Sequence, residues 1–115
     1  MKEFMFLFRG GDEVWDSKSP EEQQRQMQNW KEWIGEMAQQ EKFVGGERLF
    51  THGNTISPGT MKVTDRPLTE GKELVGGYLV VKANDLEEAT EMAKGCPGLH
   101  WDTHVEVREV WPEEK

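Results

Sequence analysis

Two short runs of apolar residues constrain the fold more than any other part of the sequence. Phe4–Phe8 reads Phe-Met-Phe-Leu-Phe and Tyr78–Val81 reads Tyr-Leu-Val-Val, so neither run alternates between apolar and polar side chains. Successive side chains of a strand point to opposite faces of its sheet, and both runs therefore predict strands that are buried on both faces. Any fold for this chain must cover both faces of a sheet at these strands.

The size and charge of the chain exclude several classes of protein. A chain of 115 residues is long enough for one domain with a core and too short for two, so we expect residues 1–115 to form a single domain. The formal net charge is −8 and Lys and Arg are scattered, which argues against a nucleic-acid partner and against binding to an anionic membrane. The early apolar run has five residues, too few to span a membrane. With one cysteine, Cys96, an internal disulfide is impossible, and we expect a cytoplasmic protein.

Two segments have the capping residues and the spacing of amphipathic helices. Ser19, Pro20 and Glu22 provide an N-cap, a proline at the first helical position and a capping box, and they predict a helix from Pro20 to about Gln40. A second helix is predicted to begin at Asn84-Asp85 and to end at Gly95. The apolar face of the first helix consists of Met27, Trp30, Ile34 and Met37, with Trp33 and Ala38 beside them.

The remaining segments predict strands and loops. The predicted strands are Phe43–Phe50, Met61–Thr64, Leu74–Lys82 and His100–Trp111, in addition to Phe4–Phe8. Met61–Thr64 and Leu74–Lys82 are predicted to form a hairpin joined by a loop at Asp65. Two glycines in Phe43–Phe50 suggest a bulge or a close backbone approach. Residues 9–19 are predicted to be a loop, in which Trp15 either folds back on the core or covers a pocket.

The order of these elements is β-α-β-β-α-β, which predicts an α+β, ferredoxin-like fold. In this fold both helices pack on one face of a single antiparallel sheet. The two doubly apolar strands then need a cover on the other face, and the chain has no further element to provide it. A second copy packed sheet to sheet is the simplest cover, so we expect a homodimer.

Several short motifs, in their order and spacing over nearly the whole chain, resemble YCII-related proteins of the DGPF type. They are Val44-Gly45-Gly46-Glu47, Val63-Thr64-Asp65-Arg66-Pro67-Leu68, Glu70-Gly71-Lys72-Glu73, Gly76-Gly77-Tyr78 and Val105-Glu106-Val107-Arg108. The resemblance implies the dimeric α/β barrel of that superfamily, with a pocket. In YCII relatives an enzymatic role for a His–Asp pair has been suggested, but the family broadly lacks an assigned reaction, and the matching histidine is not identifiable in this sequence. The Asp-Gly-Pro-Phe signature stands here as Asp65-Arg66-Pro67-Leu68, so its glycine and its aromatic residue are replaced.

Asp65 is the first candidate catalytic residue. A carboxylate at a strand end, held by a loop with a proline, could act as a general base if burial raised its pKa. Alternatively, Asp65 caps its own turn by accepting hydrogen bonds from backbone N–H groups two or three residues further on. The Arg66 guanidinium would favour the ionised carboxylate if the two side chains meet.

The polar face of the last predicted strand supplies the other catalytic candidates, His100 and His104, with Asp102 between them. Residues two apart on a strand lie about 6–7 Å apart on one face, so His100–Asp102 or Asp102–His104 could form an acid–base pair. The alternative is a solvated edge strand whose charges discourage further pairing. The two histidines would be about 13 Å apart, too far to share a metal ion, so no metal site is predicted.

The candidate binding residues are Arg66, Tyr78, His52 and Asp102. No glycine pair has the spacing of a phosphate-binding loop, and we expect no cofactor. Two functions remain open. The first is a small cofactor-independent enzyme in which Asp65 and a histidine handle protons on a small organic substrate. The second is a non-catalytic dimer that binds a small molecule or another protein.

Overall fold

The computed structural model describes residues 1–68 and 74–113. The strands are β1 (Lys2–Arg9), β2 (Phe43–Arg48), β3 (Thr55–Ile56), β4 (Val63–Thr64), β5 (Val75–Ala83) and β6 (His104–Glu109). The helices are α1 (Asp12–Ser17), α2 (Pro20–Gln39) and α3 (Leu86–Ala93), and a 3-10 helix spans Pro97–Trp101. Among the described residues, no helix combines the length and the apolar composition that crossing a membrane requires.

Four strands form one antiparallel sheet in the order β2-β5-β1-β6. The two doubly apolar strands, β1 and β5, lie at its centre, and their register pairs Phe6 with Leu79. This order, with α2 and α3 as the crossovers, confirms the predicted ferredoxin-like α+β fold. The central position of β1 and β5 follows from their composition, because only central strands can keep apolar side chains away from water on both sides.

The core lies between one face of the sheet and the helices α2 and α3. Phe4, Phe6 and Phe8 of β1 point into it and are buried. Phe6 stacks on Trp33 of α2, with a ring-centroid distance of 6.0 Å. The Trp33 indole Nε1 also donates a hydrogen bond to the Met92 carbonyl oxygen of α3 at 3.2 Å. One side chain of α2 therefore contacts the sheet and ties the two long helices together.

Both helix starts confirm the sequence prediction. The Ser19 hydroxyl accepts a hydrogen bond from the Glu22 backbone N–H at 3.2 Å, and the Ser19 N–H donates to the Glu22 carboxylate at 3.1 Å. This is the complete capping box. The capping box forms although both residues are exposed. The backbone hydrogen bond from Ser19 lowers the pKa of the Glu22 carboxyl. At α3, the Asp85 carboxylate accepts from the Glu88 backbone N–H at 2.8 Å.

The opposite face of the sheet is not covered by any helix that the structure describes. Met5 and Leu7 of β1 and Tyr78 and Val80 of β5 point to this open face and are partly exposed. The described chain is flat, with principal extents of 47 × 46 × 19 Å. Within a single chain, β1 and β5 are therefore buried on one face, and the burial predicted for their second face is incomplete.

Two irregularities interrupt the sheet. In the pairing of β2 with β5, the register passes from Phe43 to Gly45 and leaves Val44 without a partner, which confirms the predicted bulge. A Cβ atom on Gly46 would collide with the Tyr78 carbonyl oxygen, so the predicted close backbone approach is also present. In the pairing of β1 with β5, the register shifts between Phe8 and Arg9 and leaves Gly76 as the extra residue.

The predicted hairpin of Met61–Thr64 with Leu74–Lys82 is wrong. The strand β4 pairs instead with β3, with Thr55 opposite Thr64 and Ile56 opposite Val63, in a separate two-stranded sheet. The Ser57 N–H donates to the Lys62 carbonyl oxygen at 2.8 Å and closes the turn between them. This pairing closes a short loop, which costs less chain entropy than closing the longer connection to β5.

The prediction that residues 9–19 are a loop is also wrong, because Asp12–Ser17 form α1. Gly10 and Gly11 have φ angles of 75° and 87°, in the left-handed region that favours glycine, and they turn the chain after β1. An acidic first turn then suits the helix dipole. The turn and the short helix bring Trp15 back over the edge of the core.

The last strand begins at His104 rather than at His100. Pro97–Trp101 form a 3-10 helix, and Asp102 follows with a φ of 64°. Pro97 is suited to the first turn of a helix, and the Thr103 N–H donates to the Gly98 carbonyl oxygen at 2.9 Å. The sequence alternates through this segment, but the proline and this backbone hydrogen bond fix a helical turn there.

We expect Phe6→Ala to lower the free energy of unfolding by about 3–5 kcal/mol, because it removes a fully buried ring and leaves a cavity beside Trp33. Leu86→Ala, at a side chain that is 52% exposed, is the control and should change it by less than about 0.5 kcal/mol. Urea denaturation at one protein concentration measures both. Equal losses in the two variants would contradict the assignment of the core.

Candidate functional site

A cavity of about 430 Å³ lies on the helix side of the sheet, beyond the end of β1. The residues that line it come from β1, α1, α2, β2, β5 and the 3-10 helix. The aromatic residues Phe8, Trp15, Trp30, Phe43 and Trp101 belong to its lining, and Tyr78, whose side chain points to the open face, borders it. We call it the tryptophan cavity. Its volume is in the range of pockets that hold small organic ligands, about 300–1,000 Å³.

Three tryptophans from three separate elements face the tryptophan cavity. Trp15 of α1 and Trp101 of the 3-10 helix are in contact, with ring centroids 5.9 Å apart and planes inclined at 56°. Trp30 of α2 packs edge to face on Phe8, with a centroid distance of 4.9 Å. All three indoles are partly buried, so each has both a packed side and an accessible side. Trp15 thus belongs to the lining of a pocket.

Two cations of the protein lie over the indole faces. The Arg48 guanidinium carbon is 5.3 Å from the centroid of the Trp15 ring, and Lys18 Nζ is 5.3 Å from the centroid of the Trp101 ring. Both distances are within the range of cation–π contacts. Arg48 lines the cavity, and the acidic residue Asp12 also belongs to its lining. The mouth of the cavity therefore offers charged groups of both signs around an aromatic interior.

A buried glutamine supplies a polar group to the lining. Gln26 of α2 is 5% exposed, and its Nε2 donates a hydrogen bond to the Pro97 carbonyl oxygen at 2.9 Å. Its Oε1 accepts a hydrogen bond from Asn29 Nδ2 at 3.2 Å. These bonds tie the 3-10 helix to α2 and fix the glutamine amide. The sequence did not single out Gln26, because one Gln among several on an amphipathic helix carries no signal of burial.

Asp65, unlike Gln26, does not lie in a buried environment. It is exposed, and the structure places it in the bend that follows β4. With the Asn54 amide turned so that its nitrogen faces the two acceptors, this nitrogen donates to Asp65 Oδ1 at 2.9 Å and to the Gly53 carbonyl oxygen at 3.0 Å. Nearby, the Thr55 hydroxyl donates to the Arg66 carbonyl oxygen at 2.7 Å. These contacts join the bend to the preceding loop, and within the described residues Asp65 and Arg66 are not part of the cavity lining.

The histidine candidates lie at three different places in the fold. His52 stacks on Phe50, with ring centroids 4.9 Å apart and planes at 23°. His100 is exposed on the 3-10 helix, and Asp102 is exposed directly after it. His104 begins β6, opposite Arg9 in the register. The regular strand that was expected to align His100, Asp102 and His104 is absent from this segment, so the predicted spacing along one strand face does not occur.

Of the predicted site residues, Tyr78 alone borders the tryptophan cavity, and its side chain points to the open face of the sheet. It lies on β5, where its register partner in β1 is Leu7 and its partner in β2 is Glu47. The functional elements that sequence reasoning missed are the tryptophans. On the apolar face of α2, Trp33 belongs to the core, whereas Trp30 packs against the core and also lines the cavity.

The chain matches a known protein family. The family model described as YCII-related domain matches residues 3–114. No curated protein matches the chain. Within the described residues, no group of three or more His, Cys, Asp or Glu side chains could hold a metal ion.

We expect the Cys96 thiol to be unreactive in the folded protein. Burial raises the pKa of Cys96 to about 11, against the effect of backbone hydrogen bonds from Gly98 and Leu99. At pH 8, iodoacetamide should alkylate the native thiol at least about 100-fold more slowly than the thiol of the urea-unfolded chain, because the thiolate is the nucleophile. Mass spectrometry over time measures both rates. Native and unfolded rates within tenfold of each other would contradict the buried position.

Proposed function

The chain belongs to the YCII-related domain family, and on this premise we propose that it binds a small, flat organic molecule in the tryptophan cavity. The observation that carries the proposal is the convergence of Trp15, Trp30 and Trp101, from three separate elements, on one cavity of about 430 Å³. The exposed face of an indole is apolar surface in contact with water, and burying it under a ligand is favourable. A planar ligand can use their accessible faces by stacking or by edge-to-face contact.

The polar groups of the cavity suggest how such a ligand is oriented. Arg48 lines the cavity at β2, where its guanidinium can pair with a carboxylate, a sulfonate or a similar planar anion. Gln26 lies deeper, and its amide is held in place by the hydrogen bonds to Pro97 and from Asn29. A fixed amide in an apolar setting selects for ligands with a hydrogen-bonding group at that position. We therefore favour an aromatic ligand with an anionic end.

Binding has more support than catalysis by an Asp–His pair. In the first of the two functions considered, Asp65 and a histidine, either His100 or His104, would handle protons on a small organic substrate. Within residues 1–68 and 74–113, none of these three side chains lines the tryptophan cavity. Asp65 is also exposed rather than buried, so the burial that would make its carboxyl a general base near neutral pH is missing.

The protein is proposed to act as a homodimer. The open face of the sheet carries Met5, Leu7, Tyr78 and Val80, and the described helices all pack on the other face. Packing two such faces about a twofold axis would complete the burial of β1 and β5. It would also give the dimeric α/β barrel that the resemblance implies.

Two finer assignments stay predictions. The DGPF type depends on the altered motif Asp65-Arg66-Pro67-Leu68, in which two of the four signature residues remain. The cytoplasmic location is supported by the single cysteine, Cys96, which is free and buried.

The ligand proposal can be tested with the dye 1-anilinonaphthalene-8-sulfonate, which has two aromatic parts and one anionic group. Trp101→Leu should weaken its binding about tenfold, because the loss of one aromatic contact costs about 1–1.5 kcal/mol. Trp111→Leu is the matched control, since Trp111 is 85% exposed and is not among the cavity residues. Dye fluorescence titration measures each affinity. Equal affinity of both variants for the dye would argue against the cavity as its site.

For the dimer, we expect light scattering to give the mass of two 13.3 kDa chains for the natural sequence and of one chain for Leu7→Lys. The lysine would place a charge at the centre of the apolar face, where burial without a partner is unfavourable. Glu32→Lys, on the exposed side of α2, adds the same side chain elsewhere and should stay dimeric. A monomeric natural protein at micromolar concentration would contradict the proposal.

A further inference from the structure

Residues 49–68, which include β3 and β4, form a segment that we call the arm. We propose that the arm packs on a second copy of the chain and forms part of the dimer interface. This inference rests on the homodimer proposed above and adds a second surface to it, separate from the open face of the sheet.

The arm is unusually apolar for an exposed segment. Six of the twelve large hydrophobic residues that are exposed in the described chain belong to it, with exposures between 44% and 81%. These six residues are Leu49, Phe50, Ile56, Met61, Val63 and Leu68. Singly exposed apolar residues are normal on a protein surface, but a contiguous cluster of them marks a binding surface.

The arm has little support from its own chain. Its strands form a two-stranded sheet of their own, and the contacts of β3 are chiefly with β4. A two-stranded hairpin without further packing is marginally stable in water. The radius of gyration of the chain is 15.8 Å, whereas a compact chain of this length has about 13 Å, which agrees with a segment that projects from the body. Within residues 1–68 and 74–113, the exposed apolar side chains of the arm therefore have little to pack against.

Charge favours a second copy as that partner. The whole chain has a net charge of −8, so two copies repel each other over most of their surfaces. The arm contains Lys62 and Arg66 against the single acid Asp65, which gives it a formal charge of +1. It is thus a segment that can approach another acidic copy without adding to the repulsion.

Area favours the same partner. The four strands have 8, 6, 9 and 6 residues and span about 19 × 24 Å, so the open face of the sheet offers about 450 Å² to a partner. A standard interface buries about 800 Å² on each partner. The arm can supply the missing area, and it is continuous with the open face. The Leu49 N–H donates to the Gly76 carbonyl oxygen at 2.9 Å, and Glu47, two residues before, lies opposite Tyr78 on the open face.

The placement gives a role to residues that stood apart from the cavity. His52, Asp65 and Arg66 belong to the arm, and in the proposed dimer they lie at the boundary between the two subunits. The hydrogen bond from Asn54 to Asp65 and the bond from Thr55 to the Arg66 carbonyl oxygen hold the arm in one shape before it meets its partner. A preformed arm loses less conformational entropy on association than a flexible one.

The double variant Ile56→Thr/Val63→Thr tests the proposal. These residues face each other in the β3–β4 register and are 64% and 57% exposed. Threonine keeps the β-branched shape that suits a strand, so the hairpin is retained while apolar contact is lost. We expect the dissociation constant of the dimer, from sedimentation equilibrium, to rise about 10–100-fold, because the twofold axis places each substitution in the interface twice.

Leu86→Gln is the control, since it removes an equally exposed apolar side chain from α3 and should leave the dissociation constant unchanged. A second measurement is hydrogen exchange of the Ser57 amide, which closes the arm hairpin. Its exchange should slow when the protein is concentrated from below to above the dissociation constant.

The outcomes separate the two proposals. A natural dimer whose dissociation constant is the same in the double variant would overturn the role of the arm and leave the sheet-to-sheet dimer in place. A natural protein that stays monomeric would overturn both. Exchange at Ser57 that stays the same while the protein passes from monomer to dimer would also overturn the role of the arm.

Discussion

The pairing of β1 with β5 is the constraint on which the rest of the structure depends. Both strands are apolar on both faces, so they must lie at the centre of the sheet, and the edges are left to β2 and β6. Phe4, Phe6 and Phe8 then give α2 and α3 a surface on which to pack. The same alternation puts Met5 and Leu7 on the other face, which the described part of the chain leaves open. The helix layer on one face and the need for a partner on the other both result from the apolar side chains that β1 and β5 carry on both faces.

The tryptophan cavity is located where this regular packing stops. At the end of β1, Gly10 and Gly11 turn the chain away from the sheet, and α1 follows where a longer strand would have continued. At this edge, large aromatic side chains from α1, α2 and the 3-10 helix surround the cavity. An indole can be partly buried and still present a face to a cavity, which smaller apolar side chains do less well. The cavity thus follows from the early end of β1 combined with the richness of the chain in tryptophan.

The sequence predicted those parts of the fold whose determinants are local. The capping box at Ser19 and the apolar periodicity of α2 depend on residues a few positions apart, and both were predicted within a residue or two. The apolar runs placed β1 and β5 correctly as well. Pro97–Trp101 was misassigned because two-residue alternation over so short a segment also fits a helical turn, which the Gly98 carbonyl oxygen then stabilises. The pairing of β4 with β3 was missed because a strand can pair through the turn before it or through the loop after it. The alternation of Met61–Thr64 does not show which of the two strands is its partner.

The candidate site was less predictable than the fold. Ionisable residues such as Asp65 and His100 attract attention in a sequence because their chemistry is visible there, yet both are exposed. The aromatic cavity depends on Trp15 and Trp101, which are distant in the sequence and come together through the turn after β1 and the 3-10 helix. Neither element was predicted, so no reasoning from spacing could have joined the two residues. The burial of Gln26 likewise depends on tertiary contacts, which its position in the sequence does not reveal.

The extra residue in β5 has a consequence for how the cavity could change in evolution. Gly76 stands outside the β1–β5 register and belongs to the cavity lining, and a Cβ atom built on it has no neighbour within 4 Å. A side chain at this position would enter open space without displacing a strand partner. Position 76 is therefore a place where the volume and polarity of the cavity can be altered one residue at a time while the central strands keep their register. Proteins with this same sheet could diverge in ligand selectivity through that position before any change reaches the core.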